Sequence, residues 1–376
     1  MNTTLQKPTA PTRSIAPDNR WRSNPSTLHR ASVAIPFPSR GNEGADGVHR
    51  VMPAFGGDES PASSDRDQAV WSVVLAGGEG ERLRPLMERW WGAHRPKQYC
   101  TFVGRRSMLQ HTLDRAEKLS GAGRRLVVVA GHHEPFFADG PDASLAGAVI
   151  AQPQNCGTAA GIFLPLTYIG RQDPDATVVI LPSDHFIFPE ENFIATLHRA
   201  VRAAQQLPDK LVLLGARPDN PETEYGWIKS GGLVADIDGH PVRAVAGFRE
   251  KPEAHVAREL LEAGALWNTF VIAAKWRTLW QLGRECFPFL MTSLDHFAAH
   301  LGAATEADVM KSVYDQLPVE DFSARLLQRR PEASVVMELQ GVTWSDWGNE
   351  ERIVEALRRI GKAPLFPTLH PFELTC

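Results

Sequence analysis

Cysteine is scarce in this chain, and the arrangement of the few present excludes more than their number. Cys100, Cys156, Cys286 and Cys376 form no C-x-x-C pair, so no structural zinc site is implied. Scattered thiols of this kind fit a reducing cytoplasm, where they would stay unpaired, with the terminal Cys376 exposed. The thirteen histidines show no H-E-x-x-H spacing. His132 and His133 are adjacent and read as loop residues, because neighbours on an extended chain point opposite ways. No run approaches the ~18–20 consecutive apolar residues of a membrane span. The opening residues lack the apolar core, about 7–15 residues long, of a secretory signal. A net charge of -4 argues against a general nucleic-acid binder. There is no internal repeat, and in particular no hexapeptide repeat of a β-helix. Two common phosphate-binding patterns are also missing. Neither G-x-G-x-x-G nor a loop ending in G-K-[ST] occurs where glycines cluster, which counts against an oxidoreductase with a dinucleotide fold.

What remains is the composition of an ordinary globular chain, 43% hydrophobic and 22% charged over 376 residues. Residues 1–66 are rich in Pro, Ser, Thr, Asn and Arg without hydrophobic periodicity. Such a segment buries too little apolar surface to offset its chain entropy and is expected to be disordered. Its acidic residues and weak amphipathic pattern speak against an organelle transit peptide. Met52 is a candidate start, since the globular pattern begins after it. One domain is expected over 67–365, with a tail at 366–376.

From Val70 onward, apolar runs alternate with helical spacing. Strands are expected at Val70–Ala76, Arg125–Ala130, Ala148–Ile150, Thr177–Leu181 and Leu211–Gly215. Helices are expected at Ser107–Ala116, Gly157–Ile169 and Glu190–Gln206. This alternation implies βαβ units and a mostly parallel sheet, whose ligands bind beyond the C-terminal strand ends. From Tyr225 the pattern changes. Trp227–Ser230 and Val242–Phe248 read as hairpin strands, and Trp267–Ala273 as a core strand. Arg277–His300, Glu306–Tyr314 and Phe322–Gln328 read as helices. Ser334–Glu338 and Gly341–Trp344 read as strands, and Asn349–Ile360 as a closing helix capped by Asn349 or Asp346.

The chain is organised around V-V-L-A-G-G-E-G-E-R-L-R-P-L, followed by R-P-K-Q. A buried strand ends at Ala76 and runs into Gly77, Gly78 and Gly80. Glycine lets the backbone turn and bring N–H groups against a ligand. Arg82 and Lys97 add positive charge, so the stretch suits a polyphosphate. Lys97 is expected to be an exposed loop lysine whose removal would spare the fold. Asp184, in L-P-S-D-H, ends a strand and is a natural Mg²⁺ ligand or, alternatively, a helix-capping turn residue. Asp346 lies in T-W-S-D-W-G-N. Two carboxylates near one point repel, and a divalent cation removes that penalty. Lys251, in F-R-E-K-P, precedes Pro252, which favours an extended backbone there.

The string L-A-G-G-x-G-x-R-L-x-P-L with P-K-Q resembles the signature of the sugar-nucleotide pyrophosphorylases, and its R-P-K-Q-Y form looks most like the mannose-1-phosphate guanylyltransferases. The resemblance covers roughly Trp71 to Ala356. It implies an α/β fold: a mostly parallel Rossmann-like nucleotidyltransferase sheet flanked by helices, with a small β insertion and a helical C-terminal part. It implies that Ala76, Gly77, Gly78 and Gly80 bind nucleotide. Gln152, Gly157 and Thr158, in Q-P-x-x-x-G-T-A-A, would face the base. Arg82, Lys97, Asp184, Lys251 and Asp346 would be catalytic, with Asp184 and Asp346 sharing Mg²⁺. Gly226, Glu250, Lys251 and Asn268 would surround the sugar phosphate. In L-W-N-T-F, Phe270 replaces the family's glycine, which leaves open how closely the backbone approaches the sugar. Met87–His94, with Trp90 and Trp91, falls where the family has a mobile loop over the triphosphate. The tryptophans would either cover the nucleotide or pack the loop down.

The implied activity is nucleotidyl transfer from an NTP, GTP foremost, to a sugar 1-phosphate, mannose 1-phosphate foremost, in the cytoplasm. Other pairs, such as glucose 1-phosphate with UTP or dTTP, and a catalytically inactive sugar-nucleotide binder stay open. The expected partners are the two substrates and, in addition, a second copy as a homodimer. Neither nucleic acid nor membrane is expected.

Overall fold

The computed structural model describes residues 69–137 and 146–369. The expected disordered segment 1–66, most of the expected tail and Cys376 lie outside the described residues. A nine-stranded sheet dominates, in the order β3-β2-β1-β4-β9-β6-β10-β8-β7. Its strands are β1 (Val70–Ala76), β2 (Arg125–Ala130), β3 (Ala148–Gln152), β4 (Thr177–Pro182), β6 (Leu211–Ala216), β7 (Gly226–Ile237), β8 (His240–Glu250), β9 (Leu266–Lys275) and β10 (Ser334–Glu338). A small second sheet pairs β5 (Phe186–Phe188) with β11 (Thr343–Ser345). β1 pairs in parallel with β2 and β4, β2 with β3, and β6 with β10. β9 runs antiparallel between β4 and β6. The sheet is therefore mixed but mostly parallel, as the alternating pattern implied.

Each parallel strand is an apolar run because both of its faces are covered. One side is packed by α4 (Gly157–Gln172), α7 (Trp276–Cys286) and α8 (Pro288–Ala298). The other is packed by α2 (Met108–Glu117) and α5 (Glu190–Gln206). α2 starts where its sequence dictates. The Ser107 hydroxyl accepts from the Gln110 amide while the Gln110 side chain accepts from the Ser107 amide, a reciprocal cap. The single turn α3 (Glu134–Phe137) follows β2, α6 (Ala254–Glu262) follows β8, and α9 (Glu306–Tyr314) follows α8. α10 (Glu350–Arg359) closes the chain, and its cap is Asn349, whose side chain accepts from the Arg352 amide. Among the described residues no helix is long and apolar enough to cross a membrane.

Several local expectations are corrected. The helix expected over 277–300 is two helices. Pro288 has no N–H to donate and disfavours a helical Phe287, which adopts φ -132°. The helix expected over Phe322–Gln328 is present, and its residues Ser323–Leu327 form one π-helical turn. The two short hairpin strands are one long hairpin, β7–β8, turned at Asp238 (φ 53°) and Gly239 (φ 77°). An Asp-Gly pair supplies the two left-handed residues that a tight hairpin turn requires. Of the stretch 87–94, expected where the family has a mobile loop, residues 87–91 are helical and belong to α1 (Arg84–Trp91). Trp90 packs against Phe102 and Phe366, and Trp91 lies beside the Arg95 guanidinium.

α1 belongs to a third apolar cluster that positions the site. Leu83, Leu86, Met87, Phe102, Trp347, Ile353, Leu357 and Phe366 are all buried there. Trp347 stacks on Phe186 at 4.6 Å with an interplanar angle of 10°. This cluster fastens the segment after the glycine loop to the segment carrying Asp346.

Candidate active site

β1 and β4 are parallel neighbours, so the glycine loop after β1 and the turn carrying Asp184 open at the same sheet edge. The loop is braced from below. The Gln98 side-chain amide donates to the carbonyls of Ala76 (2.8 Å) and Gly78 (2.9 Å). Gly80 has φ 68°, and a Cβ there would come within 3.1 Å of the Lys97 amide nitrogen. Only glycine satisfies both the left-handed backbone and the close approach.

Lys97 is not the exposed lysine that its loop context implied. It is 4% exposed, held between the two candidate metal aspartates. Its Nζ stands 2.9 Å from Asp184 Oδ2 and donates to the Asp346 backbone carbonyl. Three cations and a hydroxyl surround Asp346. Oδ2 accepts from Arg82 (2.8 Å), and Oδ1 accepts from the Tyr225 hydroxyl (2.5 Å), Arg352 (3.0 Å) and the Gly348 amide (2.9 Å). Burial alone would raise the Asp346 carboxyl. Lys97, the Tyr225 hydroxyl, Arg82 and Arg352 outweigh it and hold the group well below the usual carboxylate range. Asp184 is also lowered, the burial effect being exceeded by Lys97 and His185. The repulsion foreseen between the two carboxylates is thus relieved by protein cations.

His185 supports Asp184 from the side. Its Nε2 lies 3.6 Å from Asp184 Oδ1, and the Trp344 indole N–H points at its Nδ1 at 3.4 Å. Burial holds the imidazole below its ordinary value. An Nδ1 facing an N–H donor leaves the proton on Nε2, toward the carboxylate.

Lys251 joins the network through the backbone. Its amide donates to the Tyr225 carbonyl (3.1 Å), while the Tyr225 hydroxyl reaches Asp346. The side chain is exposed, and the backbone is left-handed at φ 43° rather than extended. A non-glycine residue in that region is strained, a feature that concentrates at functional sites. Phe270 is likewise left-handed at φ 58°, the conformation that the expected glycine would adopt freely. Here a phenylalanine occupies it, with its ring edge-on to Phe322 at 6.1 Å. Asn268 is buried, and its side-chain oxygen accepts from the Phe270 amide (3.1 Å).

Gly226 lies against Glu250, and a Cβ on it would sit 2.7 Å from Glu250 Oε2. Burial and the neighbouring Asp321 push the Glu250 carboxyl up to about 7, against the opposing pull of Lys251 and Ser323. The folded state then holds a proton that the unfolded chain releases above about 4.5. Stability is therefore expected to fall as pH rises from about 4.5 to about 7 and to stay lower above it. Glu250→Gln should raise Tm at pH 8 by several degrees and leave it almost unchanged at pH 4. An equal shift at both pH values would show that the Glu250 carboxyl titrates alike in the folded and unfolded chains.

The three residues expected at the base each have a partner of their own. Gln152 ends β3 beside Gly77, and its side-chain oxygen accepts from the Tyr314 hydroxyl (3.2 Å). Gly157 has φ 85°, and its Cα is covered by the Glu320 backbone. The Thr158 hydroxyl accepts from the Phe322 amide (2.8 Å). The segment Glu320–Phe322 thus occupies the start of α4, leaving Thr158 its hydroxyl proton and one lone pair to offer.

The profile of the family described as "Nucleotidyl transferase" matches residues 71–363. The chain belongs to this family. It is similar to the xanthan biosynthesis protein XanB of Xanthomonas campestris pv. campestris (strain B100), 31% identical over 302 residues, covering 78% of this chain and 60% of that protein. It is also similar to an Escherichia coli mannose-1-phosphate guanylyltransferase, 30% identical over 301 residues, covering 77% and 60%. The chain spans about 60% of the length of these relatives. A crystal structure named as a mannose-1-phosphate geranyltransferase from Thermus thermophilus superposes with a TM-score of 0.64 at 28% identity, covering 77% of this chain and 78% of that one.

Nucleotidyltransferases of this family generally use a divalent metal, and the residues here fit one. Asp184 is partly exposed, with Lys97 on Oδ2 and the His185 imidazole 3.6 Å from Oδ1. A hard ion such as Mg²⁺ takes one or two carboxylates and completes its shell with water and phosphate oxygens. The carboxylate of Asp346, whose Oδ2 is held by Arg82 (2.8 Å), offers the second oxygen donor.

Tyr225, Glu222, His185 and Arg352 were not singled out from sequence. Tyr225 directly precedes Gly226, the residue of that segment expected beside the sugar phosphate. Arg352 donates to both Asp346 and Glu222 and lies over the Tyr225 ring at 4.9 Å. Nothing in the sequence of the closing helix sets Arg352 apart from its neighbouring arginines.

Proposed function

We propose that this chain transfers a nucleotidyl group from an NTP to a sugar 1-phosphate, releasing pyrophosphate, with GTP and mannose 1-phosphate as the preferred pair. The observation that carries the reading is the joining of Asp184 and Asp346 through Lys97, directly beneath a glycine loop flanked by Arg82. A sugar-phosphate oxygen would attack the α-phosphorus in line while the pyrophosphate oxygen leaves. Such a step needs positioning and charge neutralisation more than acid–base chemistry. Backbone N–H groups of Gly77, Gly78 and Gly80 would cradle the triphosphate, with Ala76 fixing the turn. Arg82 would neutralise the leaving group. Lys251, with its strained backbone, would hold the attacking phosphate, while Gly226, Glu250 and Asn268 line the sugar. Gln152 would read the base, assisted by Gly157 and Thr158. Mg²⁺ held by Asp184 and Asp346 would supply charge neutralisation at the phosphates.

Mannose 1-phosphate and GTP are preferred because the relatives named above include a mannose-1-phosphate guanylyltransferase. Those relatives also support a product used in polysaccharide synthesis, and a soluble cytoplasmic enzyme, as a homodimer, fits the same reading. A pyrophosphate-release screen of four NTPs against mannose, glucose and N-acetylglucosamine 1-phosphates tests it. GTP with mannose 1-phosphate should give the highest kcat/KM, with no turnover after chelation. Highest turnover with UTP or dTTP and glucose 1-phosphate would replace the pair. No turnover with any combination would leave a sugar-nucleotide binder.

A further inference from the structure

His132 and His133 do not diverge as neighbours on an extended chain would. They sit on the tight turn Gly131–His133 directly after β2, where successive side chains fall on adjacent faces. Both Nε2 atoms reach one carboxylate oxygen, Glu79 Oε2, at 3.0 Å from His132 and 3.3 Å from His133. The two rings are 4.5 Å apart. Glu79 lies between Gly78 and Gly80, and β1 and β2 are parallel neighbours, so their following loops meet at one edge. We propose that Glu79, His132 and His133 bind one divalent transition-metal ion, separate from the Asp184–Asp346 centre.

The donor chemistry selects the ion. The three ligand atoms lie within 4.8 Å of one another. Donors about 2.0–2.2 Å from a tetrahedral zinc stand roughly 3.4 Å apart, so a small adjustment opens the cluster around an ion. Two imidazoles and one carboxylate leave a fourth position for water, as in open zinc sites. Imidazole nitrogen favours zinc, cobalt or nickel over Mg²⁺, which prefers oxygen throughout. The two histidines are unequal. His133 is fully buried, with its ring edge-on to Tyr99 at 5.6 Å, which fixes its direction. His132 is exposed and leaves the site open to solvent. A second grouping, Glu79 with Glu81 and His94, is already committed. Both Glu81 oxygens accept from Arg84, and His94 Nε2 bonds the Glu79 carbonyl.

The site has a consequence for the glycine loop that rests on the proposed nucleotide role, although metal binding itself does not. A carboxylate between Gly78 and Gly80 opposes an anionic ligand, and a bound cation reverses that local charge.

The test uses the full chain, freed of metal by chelation and returned to chelator-free buffer without nucleotide or Mg²⁺. Cobalt(II) is titrated while visible absorption is followed, and zinc(II) is titrated by calorimetry. One equivalent should bind, with a cobalt spectrum of nitrogen and oxygen ligation, and millimolar Mg²⁺ should not displace it. His132→Ala, at an exposed position, should keep the wild-type Tm and bind at least tenfold more weakly. Glu79→Gln should weaken binding as strongly. Absence of saturable binding, or one equivalent bound equally well by both variants, would overturn the site. Neither result depends on turnover, so failure here and failure of the proposed activity are separable.

Discussion

Lys97→Ala is expected to lose at least about a hundredfold in turnover, in the range seen when one preorganised transition-state donor is removed, and to lower Tm as well. The second effect follows from burial. Lys97 is 4% exposed and neutralises Asp184 at 2.9 Å while also bonding the Asp346 carbonyl. Removing one partner of a buried pair leaves the other charge uncompensated and costs about 3–5 kcal/mol when desolvation is complete. Asp184 keeps some contact with water, so the low end, about 3 kcal/mol, is expected. At this chain size that lowers Tm by roughly 5 °C. Lys97→Met fills the same volume and isolates the charge. It should be about as unstable as the alanine variant if the ion pair dominates, and markedly more stable if packing does. Full turnover with an unchanged Tm in either variant would remove Lys97 from the centre of the site.

The second large effect concerns Asp184 and Asp346 together. Each asparagine variant should abolish most Mg²⁺-dependent turnover, and the double variant should be little worse, because residues acting on one ion or one lysine fail as a unit. Their effects on stability should differ. Asp346 accepts from Arg82, Arg352, Tyr225 and the Gly348 amide, so Asp346→Asn should lower Tm by several degrees. Relief of carboxylate repulsion, the reason to expect the opposite, is outweighed where Lys97 stands between the charges. Asp184→Asn removes a single ion pair and should lower Tm less. Kinetics of the two single variants and the double, with thermal melts, complete the cycle. Strictly multiplicative rate losses would show that the two aspartates act at separate places. Near-wild-type turnover by Asp184→Asn would remove it from the chemistry.

Local patterns carried much of this architecture. Val70–Ala76 and Arg125–Ala130 are strands over the expected residues because continuous β-favouring apolar runs have only a doubly covered sheet in which to bury both faces. Ser107 and Asn349 cap helices as short-range chemistry requires. The antiparallel placement of β9 between β4 and β6 was not legible, because an apolar run carries no record of strand direction. His132 and His133 lie in the loop expected, but their opposite directions were misjudged for a related reason. Which way adjacent side chains point depends on whether the backbone is extended or turned, and one turn was enough to aim both at Glu79.

The sequence by itself determined the chemical inventory: a glycine loop after a buried strand, lysines in P-K-Q and E-K-P, and aspartates at the ends of apolar runs. Those features depend on residue type and on spacing within one turn or strand. Only the tertiary structure decided how the inventory is wired. It buried Lys97 between two aspartates that are distant in the chain, brought Arg352 from the closing helix to Asp346, and set the Glu320–Phe322 backbone against Thr158. Charges far apart in sequence take their partners from sheet order and from the packing of the third apolar cluster. Burial then sets how strongly those partners act on one another, through desolvation that no local pattern encodes.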